Sequence, residues 1–267
     1  MALYALDESG RVIHADEAHS FDSYRCIECR GVVQKRNFRQ RRSHFYHLQT
    51  VQSCRLHSRS IDHLILQEHL RDLNPSLIAE RPFKKILRIA DLCWEEKNLV
   101  FEIQCSPIAL SQAFQREKDY ASEGYQIIWL MDDRLYNRRR TLRPTEDHLR
   151  HQGYYFSLTR PFVYDQFEVL DDRKRLARGP PLPVDLTRPG IHTMAKETLT
   201  RQLGQRQKGL FFAGDLLDRA IRYPNYLQQI RELEERILSS RANVAQHQVK
   251  KNLSIGLEFL LRQTSAE

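Results

Sequence analysis

The order of apolar patterns between residues 61 and 132 constrains the fold most strongly. A helical pattern capped by Ser60 and ended by Asn74-Pro75 comes first, and three short strand-like patterns and a second helical pattern after Ser106-Pro107 follow it. The strongly apolar run QIIWLMD then has the character of a buried strand. This order predicts an antiparallel meander joined by a helical crossover to a further strand, which is an α/β core with a mixed sheet flanked by helices.

A cysteine- and histidine-rich segment precedes this core. It begins at Tyr24 and ends at His57, and it looks too short and too polar to fold by apolar burial alone. Cys26-x-x-Cys29 has the spacing that lets two thiolates reach one tetrahedral zinc ion. The segment therefore predicts a zinc-binding module, although a reduced cysteine pair beside solvent-facing histidines is the alternative.

The remaining zinc ligands must come from His44, His47 and Cys54. His44 and His47 are three residues apart, so they point to opposite faces of a strand and only a helix would let both bind. We favour His47 and Cys54, with His44 in reserve. Four ligands leave no open position for water, so the predicted zinc ion is structural.

Three regions follow from these patterns. We assign residues 1–57 to an N-terminal hairpin and the zinc-binding module, and residues 58–135 to the α/β core. Residues 136–267 are basic at first, then rich in proline, and then show long polar helical patterns. We interpret them as a linker and a mainly helical C-terminal region, which is either a protein-interaction arm or a lid.

Two acidic residues on neighbouring predicted strands could carry chemistry. Asp91 lies on one strand, and Glu102 and Gln104 share one face of the next because side chains alternate along a strand. Carboxylates are suitable ligands for Mg²⁺ or Mn²⁺, which support phosphodiester hydrolysis, and the Gln104 amide could orient water or a phosphate oxygen. The alternative is that both acids are ordinary solvent-facing strand residues.

The segment RIADLCWEEKNLVFEIQCSPIALSQAFQREKDYASEGYQIIWLM resembles the central part of the CoiA-like competence proteins. The similarity extends over about residues 20–135. The features that carry the resemblance are, in chain order, CIEC, HFYH, Ser60-x-x-His63, Ala90-Asp91, Glu102-x-Gln104-x-Ser106, Arg116, Tyr120 and Trp129. The resemblance implies a PD-(D/E)xK nuclease core whose site contains Asp91, Glu102, Gln104, His63, Arg116 and Tyr120.

Two positions depart from the family pattern. Arg59 stands where the family usually has glutamate, and Gln67 stands where a lysine is expected. If that glutamate helps to hold metal, Asp62 or Glu68 on the same helix could replace it. Arg116 could contact a scissile phosphate or pair with the carboxylates, and Tyr120 would line the cleft one turn later.

Charge and hydropathy limit the kinds of partner that the chain can have. The chain has 42 Lys and Arg residues against 34 Asp and Glu, which gives a net charge of +8. This charge favours binding to a polyanion, although it could equally serve only to keep the protein in solution. No apolar stretch is long enough to span a membrane and no leader is evident, which favours a cytoplasmic protein. We predict a Mg²⁺- or Mn²⁺-dependent nuclease that acts on single-stranded or branched DNA in uptake, recombination or repair, with recombination proteins as further partners. A catalytically impaired DNA-binding accessory protein is the alternative.

Overall fold

A computed structural model describes residues 2–38, 41–49, 54, 60–138, 141, 143–159, 162–170, 175–190 and 212–240. Within these ranges the chain forms an N-terminal module around a five-stranded sheet and a larger unit around a seven-stranded sheet. A third, two-stranded sheet lies in the C-terminal part. The predicted mixed α/β class is confirmed.

The N-terminal module is an antiparallel sheet with the strand order β2-β1-β3-β4-β5. Its strands are β1 (Tyr4–Leu6), β2 (Val12–His14), β3 (Tyr24–Arg25), β4 (Val32–Phe38) and β5 (Arg41–His47). The predicted N-terminal hairpin is β1 and β2, and Asp7 closes its turn by accepting bonds from the amides of Ser9 and Arg11. The sheet encloses a small core in which Ala5 of the hairpin packs with Tyr24 and Phe45 of the cysteine-rich segment, and Cys26 and Cys54 belong to the same core.

The larger sheet has the strand order β12-β11-β10-β9-β8-β7-β6. Its strands are β6 (Ile78–Phe83), β7 (Arg88–Trp94), β8 (Leu99–Gln104), β9 (Gln126–Asp132), β10 (Gly153–Phe156), β11 (Val163–Leu170) and β12 (Leu176–Pro183). The first three strands form the predicted antiparallel meander. β8, β9 and β10 then run parallel to one another, which requires crossover connections between them.

Helices cover both faces of this sheet. They are α1 (Ile61–Leu73), α2 (Leu110–Ser122), α3 (Asp133–Tyr136) and α4 (Pro144–His151). Leu66 and Leu70 of α1 pack on one face of the sheet, whereas Ala113 and Tyr120 of α2 pack on the other. The predicted crossover helix between β8 and β9 is α2, and α4 connects β9 to β10.

The predicted limits of α1 are correct and the predicted start of α2 is wrong. The Ser60 side chain caps α1 by accepting a bond from the amide of His63, and Asn74 ends the helix. α2 starts at Leu110 instead of directly after Ser106-Pro107. The carbonyl of Ser106 accepts bonds from the side chains of Gln104 and Tyr136, so Ser106 is held beside the end of β8, four residues before the helix starts.

The sheet continues beyond the boundary that the sequence suggested near residue 135. β10, β11 and β12 add three strands to it, so residues 153–183 belong to the same layer as the core. These three strands were not predicted from the sequence. The described residues after β12 form two short strands, β13 (Asp185–Pro189) and β14 (Phe212–Ala213), and only then helices, which are α5 (Leu216–Arg222) and a helical stretch at 226–240.

Candidate active site

The site lies where the ladder between β7 and β8 ends. The last paired residues are Leu92 and Phe101, so the strands separate next to Asp91 and Glu102. At this point the amide of Ile103 donates to Asp91 Oδ2 at 2.7 Å, and a side chain thus replaces a main-chain ladder bond. Asp91 is 6% exposed and Glu102 is 4% exposed, which excludes the alternative of ordinary solvent-facing acids.

Two residues of α2 hold Glu102. Arg116 donates to Oε2 at 2.5 Å, and the hydroxyl of Tyr120 donates to Oε1 at 2.7 Å. Burial and the negative charge of Glu102 raise the pKa of Tyr120, so its hydroxyl stays protonated. Burial alone would lower the pKa of Arg116, yet the pKa is raised because Glu102 and Asp91 stabilise the guanidinium. Both donors therefore complement a carboxylate at Glu102.

Asp91 is supported from α1. Its Oδ1 lies 3.4 Å from Nε2 of His63, a residue that is 5% exposed. One turn later, the buried side chain of Gln67 donates to the main-chain carbonyl of Asp91 at 2.5 Å. The helix thus contacts both the side chain and the backbone of Asp91, and sequence analysis had noted Gln67 only as a departure from the family pattern.

Gln104 closes one end of the site. Its Nε2 donates to the carbonyl of Ser106 at 2.5 Å, and this amide is therefore engaged with the loop that leads to α2. A cavity of about 170 Å³ opens between the two acids. All six predicted catalytic residues line it, together with Ser60 and Ser106 of the same motifs. Four further lining residues were not predicted for the site: Arg88, Ile89, Ile103 and Cys105.

Other predicted residues lie elsewhere. Asp62 pairs with Arg134, and Glu68 pairs with Arg71, so neither of the suggested substitutes for a glutamate at position 59 lines the cavity. Arg59 lies outside the described residues. Trp129 is fully buried in the core, although its indole N–H donates to Glu117 at 2.9 Å.

A second cluster occupies the N-terminal module. Cys26, Cys29, His47 and Cys54 place one ligand atom each within 4.8 Å of one another, and among the described residues no other group of three or more such ligands is found. The sulfurs of Cys26 and Cys54 are 3.6 Å apart. Thiolates at about 2.3 Å from a tetrahedral zinc ion would be about 3.8 Å apart, so this geometry fits zinc.

The reserve ligand lies outside that cluster. His44 is buried on the same strand as His47, three residues earlier, and strand alternation places the two side chains on opposite faces. Burial raises the pKa of the Cys26 and Cys54 thiols. A cation among them would stabilise the thiolates that zinc requires.

Fold and site together define a mixed α/β domain with a buried carboxylate pair at a strand divergence, preceded by a cluster of three cysteines and one histidine that could bind zinc. Residues 57–164 match the family model described as competence protein CoiA, nuclease-like domain. This match confirms the predicted resemblance of the segment to the CoiA-like competence proteins. No curated protein and no solved structure matches the chain. No helix in the described part of the chain has the length and apolarity needed to span a bilayer.

Proposed function

We propose that the chain is a metal-dependent deoxyribonuclease of the PD-(D/E)xK type that acts in DNA uptake, recombination or repair. One observation carries the proposal: Asp91 and Glu102 are buried side by side in a cavity that opens between diverging strands. Burying two carboxylates is unfavourable unless charges or metal ions compensate them. The family match to a nuclease-like domain adds independent support.

The donor set suits a hard divalent cation. Carboxylate oxygens of Asp91 and Glu102, with the amide oxygen of Gln104, are the ligand type that Mg²⁺ and Mn²⁺ prefer. A bound ion would polarise the phosphate and lower the pKa of an attacking water.

The chain's own residues would position the substrate. Arg116 lies at the cavity wall with a partly exposed guanidinium, so it can donate to a phosphate oxygen as well as to Glu102. Tyr120 would keep Glu102 oriented while Arg116 shifts. His63 and Gln67 would fix Asp91 from the other side, and the cavity would exclude bulk water from these groups.

A catalytically impaired DNA-binding accessory protein is the second candidate. The observation in its favour is that Glu102 already has a cationic partner and that Gln104, unlike a lysine, supplies no charge. Such a protein would bind DNA and metal weakly and would not cleave. We place either protein in the cytoplasm, where the five free cysteines would remain reduced.

Cleavage assays separate the two candidates. Labelled single-stranded, duplex and branched DNA would be incubated with the protein in Mg²⁺, in Mn²⁺ and in EDTA. We expect metal-dependent cleavage that is lost in the double variant Asp91→Asn, Glu102→Gln. The matched control, Glu95→Gln with Glu96→Gln, removes the same charge from the exposed turn at the other end of β7 and β8 and should cleave normally. Cleavage that persists in the first variant would refute the assigned site.

A further inference from the structure

A large groove separates the zinc-binding module from the edge of the main sheet. It has a volume of about 820 Å³ and runs between the first strands of the module and β6 with the turn that follows it. β6 is an edge strand of the seven-stranded sheet, so the groove follows a border where no further strand of the described ranges pairs. No residue of the carboxylate pair lines this groove.

The walls of the groove are mainly apolar and partly exposed. Val12 is 57% exposed, Ile78 43% and Leu87 76%, and Leu6 and Ile27 line the same space. An exposed apolar surface of this kind, bordered by charged side chains, is typical of a binding surface.

The charge of the lining is positive. Five cations line the groove against two acids, Glu28 and Glu80. Glu80 is buried and accepts a bond from the amide of Leu3, so little of its charge reaches the groove. Arg30 and Lys84 are exposed, and neither forms an ion pair with any residue in the described part of the chain. These two side chains are therefore available to an anionic ligand.

The groove adjoins the proposed active site. Arg88 and Ile89 line both the groove and the carboxylate cavity. Arg88 pairs with Asp119 of α2 at 2.7 Å, which fixes its guanidinium between the two spaces. The groove and the carboxylate cavity therefore share part of their lining.

We propose that this groove binds single-stranded DNA and directs it to the carboxylate cavity. The phosphates would contact Arg30 and Lys84, and unpaired bases would cover the apolar wall formed by residues such as Val12 and Leu87. A duplex hides its base faces by stacking and pairing, so it would gain nothing from that wall, whereas single strands combine a charged backbone with exposed base surfaces. The proposal rests on the proposed nuclease function, because it names the substrate form that this site receives.

Binding is measured without Mg²⁺ or Mn²⁺ so that cleavage does not interfere, and no chelator is added because it would also remove zinc from the cysteine cluster. Fluorescence anisotropy in this buffer would compare a labelled 20-nucleotide thymidine strand, a duplex of the same length and an abasic strand of the same length. We expect the thymidine strand to bind at least about tenfold more tightly than the other two, because only it presents unpaired bases. Equal affinity for the thymidine and abasic strands would overturn the apolar contact, and a preference for duplex would overturn the substrate form.

Charge reversal locates the binding surface. Arg30→Glu with Lys84→Glu should weaken single-strand binding at least about tenfold and reduce the salt dependence of log K by about 1.4, which is the loss of two phosphate contacts. The control, Arg231→Glu with Arg236→Glu, makes the same change in net charge on the exposed helical stretch at 226–240. That stretch contacts β12 through Leu233, at the opposite edge of the sheet. The control should bind as the wild type does.

Two further measurements distinguish the loss of a phosphate contact from damage to the metal cluster. Because Arg30 directly follows Cys29 of that cluster, the zinc content of the double variant is measured. Lys84→Glu is also tested alone, and it should give about half of the effect on log K. If the first double variant binds like the control, the groove does not hold DNA, and a peptide added along β6 becomes the favoured occupant. If the wild type binds single strands through the groove but never cleaves in Mg²⁺ or Mn²⁺, the nuclease proposal fails and the groove assignment stands.

Discussion

The hydrogen bond between Tyr120 and Glu102 offers a sharp test of the site's electrostatics. Tyr120→Phe removes only the hydroxyl, which donates to Glu102 Oε1 at 2.7 Å, and both side chains are almost fully buried. A bond to a charged acceptor contributes about 1.5–3 kcal/mol. Arg116 still neutralises Glu102 in the variant, so we expect the free energy of unfolding to fall by about 2 kcal/mol. For a chain of this size the melting temperature should fall by roughly 4–8 °C.

Urea denaturation measures this loss, and Tyr136→Phe is the matched control. Tyr136 is also buried and donates at 2.7 Å, but to the neutral carbonyl of Ser106, which Gln104 also bonds. Its loss should therefore cost about 1 kcal/mol or less. In a Glu102→Gln background, Tyr120→Phe should cost clearly less than in the wild type. Equal losses for the two tyrosine variants, or no coupling to Glu102, would refute the assignment of Glu102 as an ionised acceptor.

Three further predictions concern other parts of the molecule. Cys54→Ser should lower the metal content well below the about one equivalent of zinc expected for the wild type, whereas His44→Gln should retain it, as elemental analysis would show. Burial and the charge of Asp165 raise the pKa of Asp215 from 3.8 to about 7, so between these values the folded state holds a proton that the unfolded state lacks. The contribution of this group to stability should be complete below about pH 4 and lost as the pH rises to about 7, and Asp215→Asn should flatten that part of the stability profile. Gly153→Ala should lower the free energy of unfolding by more than about 3 kcal/mol in the same denaturation assay, because a Cβ there would lie 2.6–2.8 Å from Leu149 O and from Trp129. Gly179→Ala should cost less, because the nearest atom to its Cβ would be the end of a flexible side chain.

Local patterns were sufficient to predict the elements that carry the site. The alternation that places Glu102 and Gln104 on one face depends only on strand geometry, and the limits of α1 follow from its capping residues. The strands β10 to β12 were missed because prolines and arginines in β12 resemble a linker when their tertiary partners are unknown. β12 is an edge strand, where proline is tolerated.

The carboxylate cavity itself could not be read from local patterns. It exists because the ladder stops at Leu92 and Phe101 and the side chain of Asp91 takes over the amide of Ile103. Periodicity predicts a continuous pair of strands and gives no sign of this divergence. The contact of Gln67 with the backbone of Asp91 likewise depends on how α1 packs across the sheet.

Helix α1 links the two halves of the molecule physically. One side of it carries His63 and Gln67 to Asp91, and another side contacts the N-terminal module. There Glu68 lies 3.7 Å from Nε2 of His14, and Arg71 lies over the ring of Tyr4. A shift of the N-terminal module would therefore move the same helix that contacts Asp91, and it would also change the width of the groove that the module forms with β6. The groove and the carboxylate pair are thus both linked mechanically to the N-terminal module, and this is a physical reason for joining a small module that could bind zinc to a nuclease-like core.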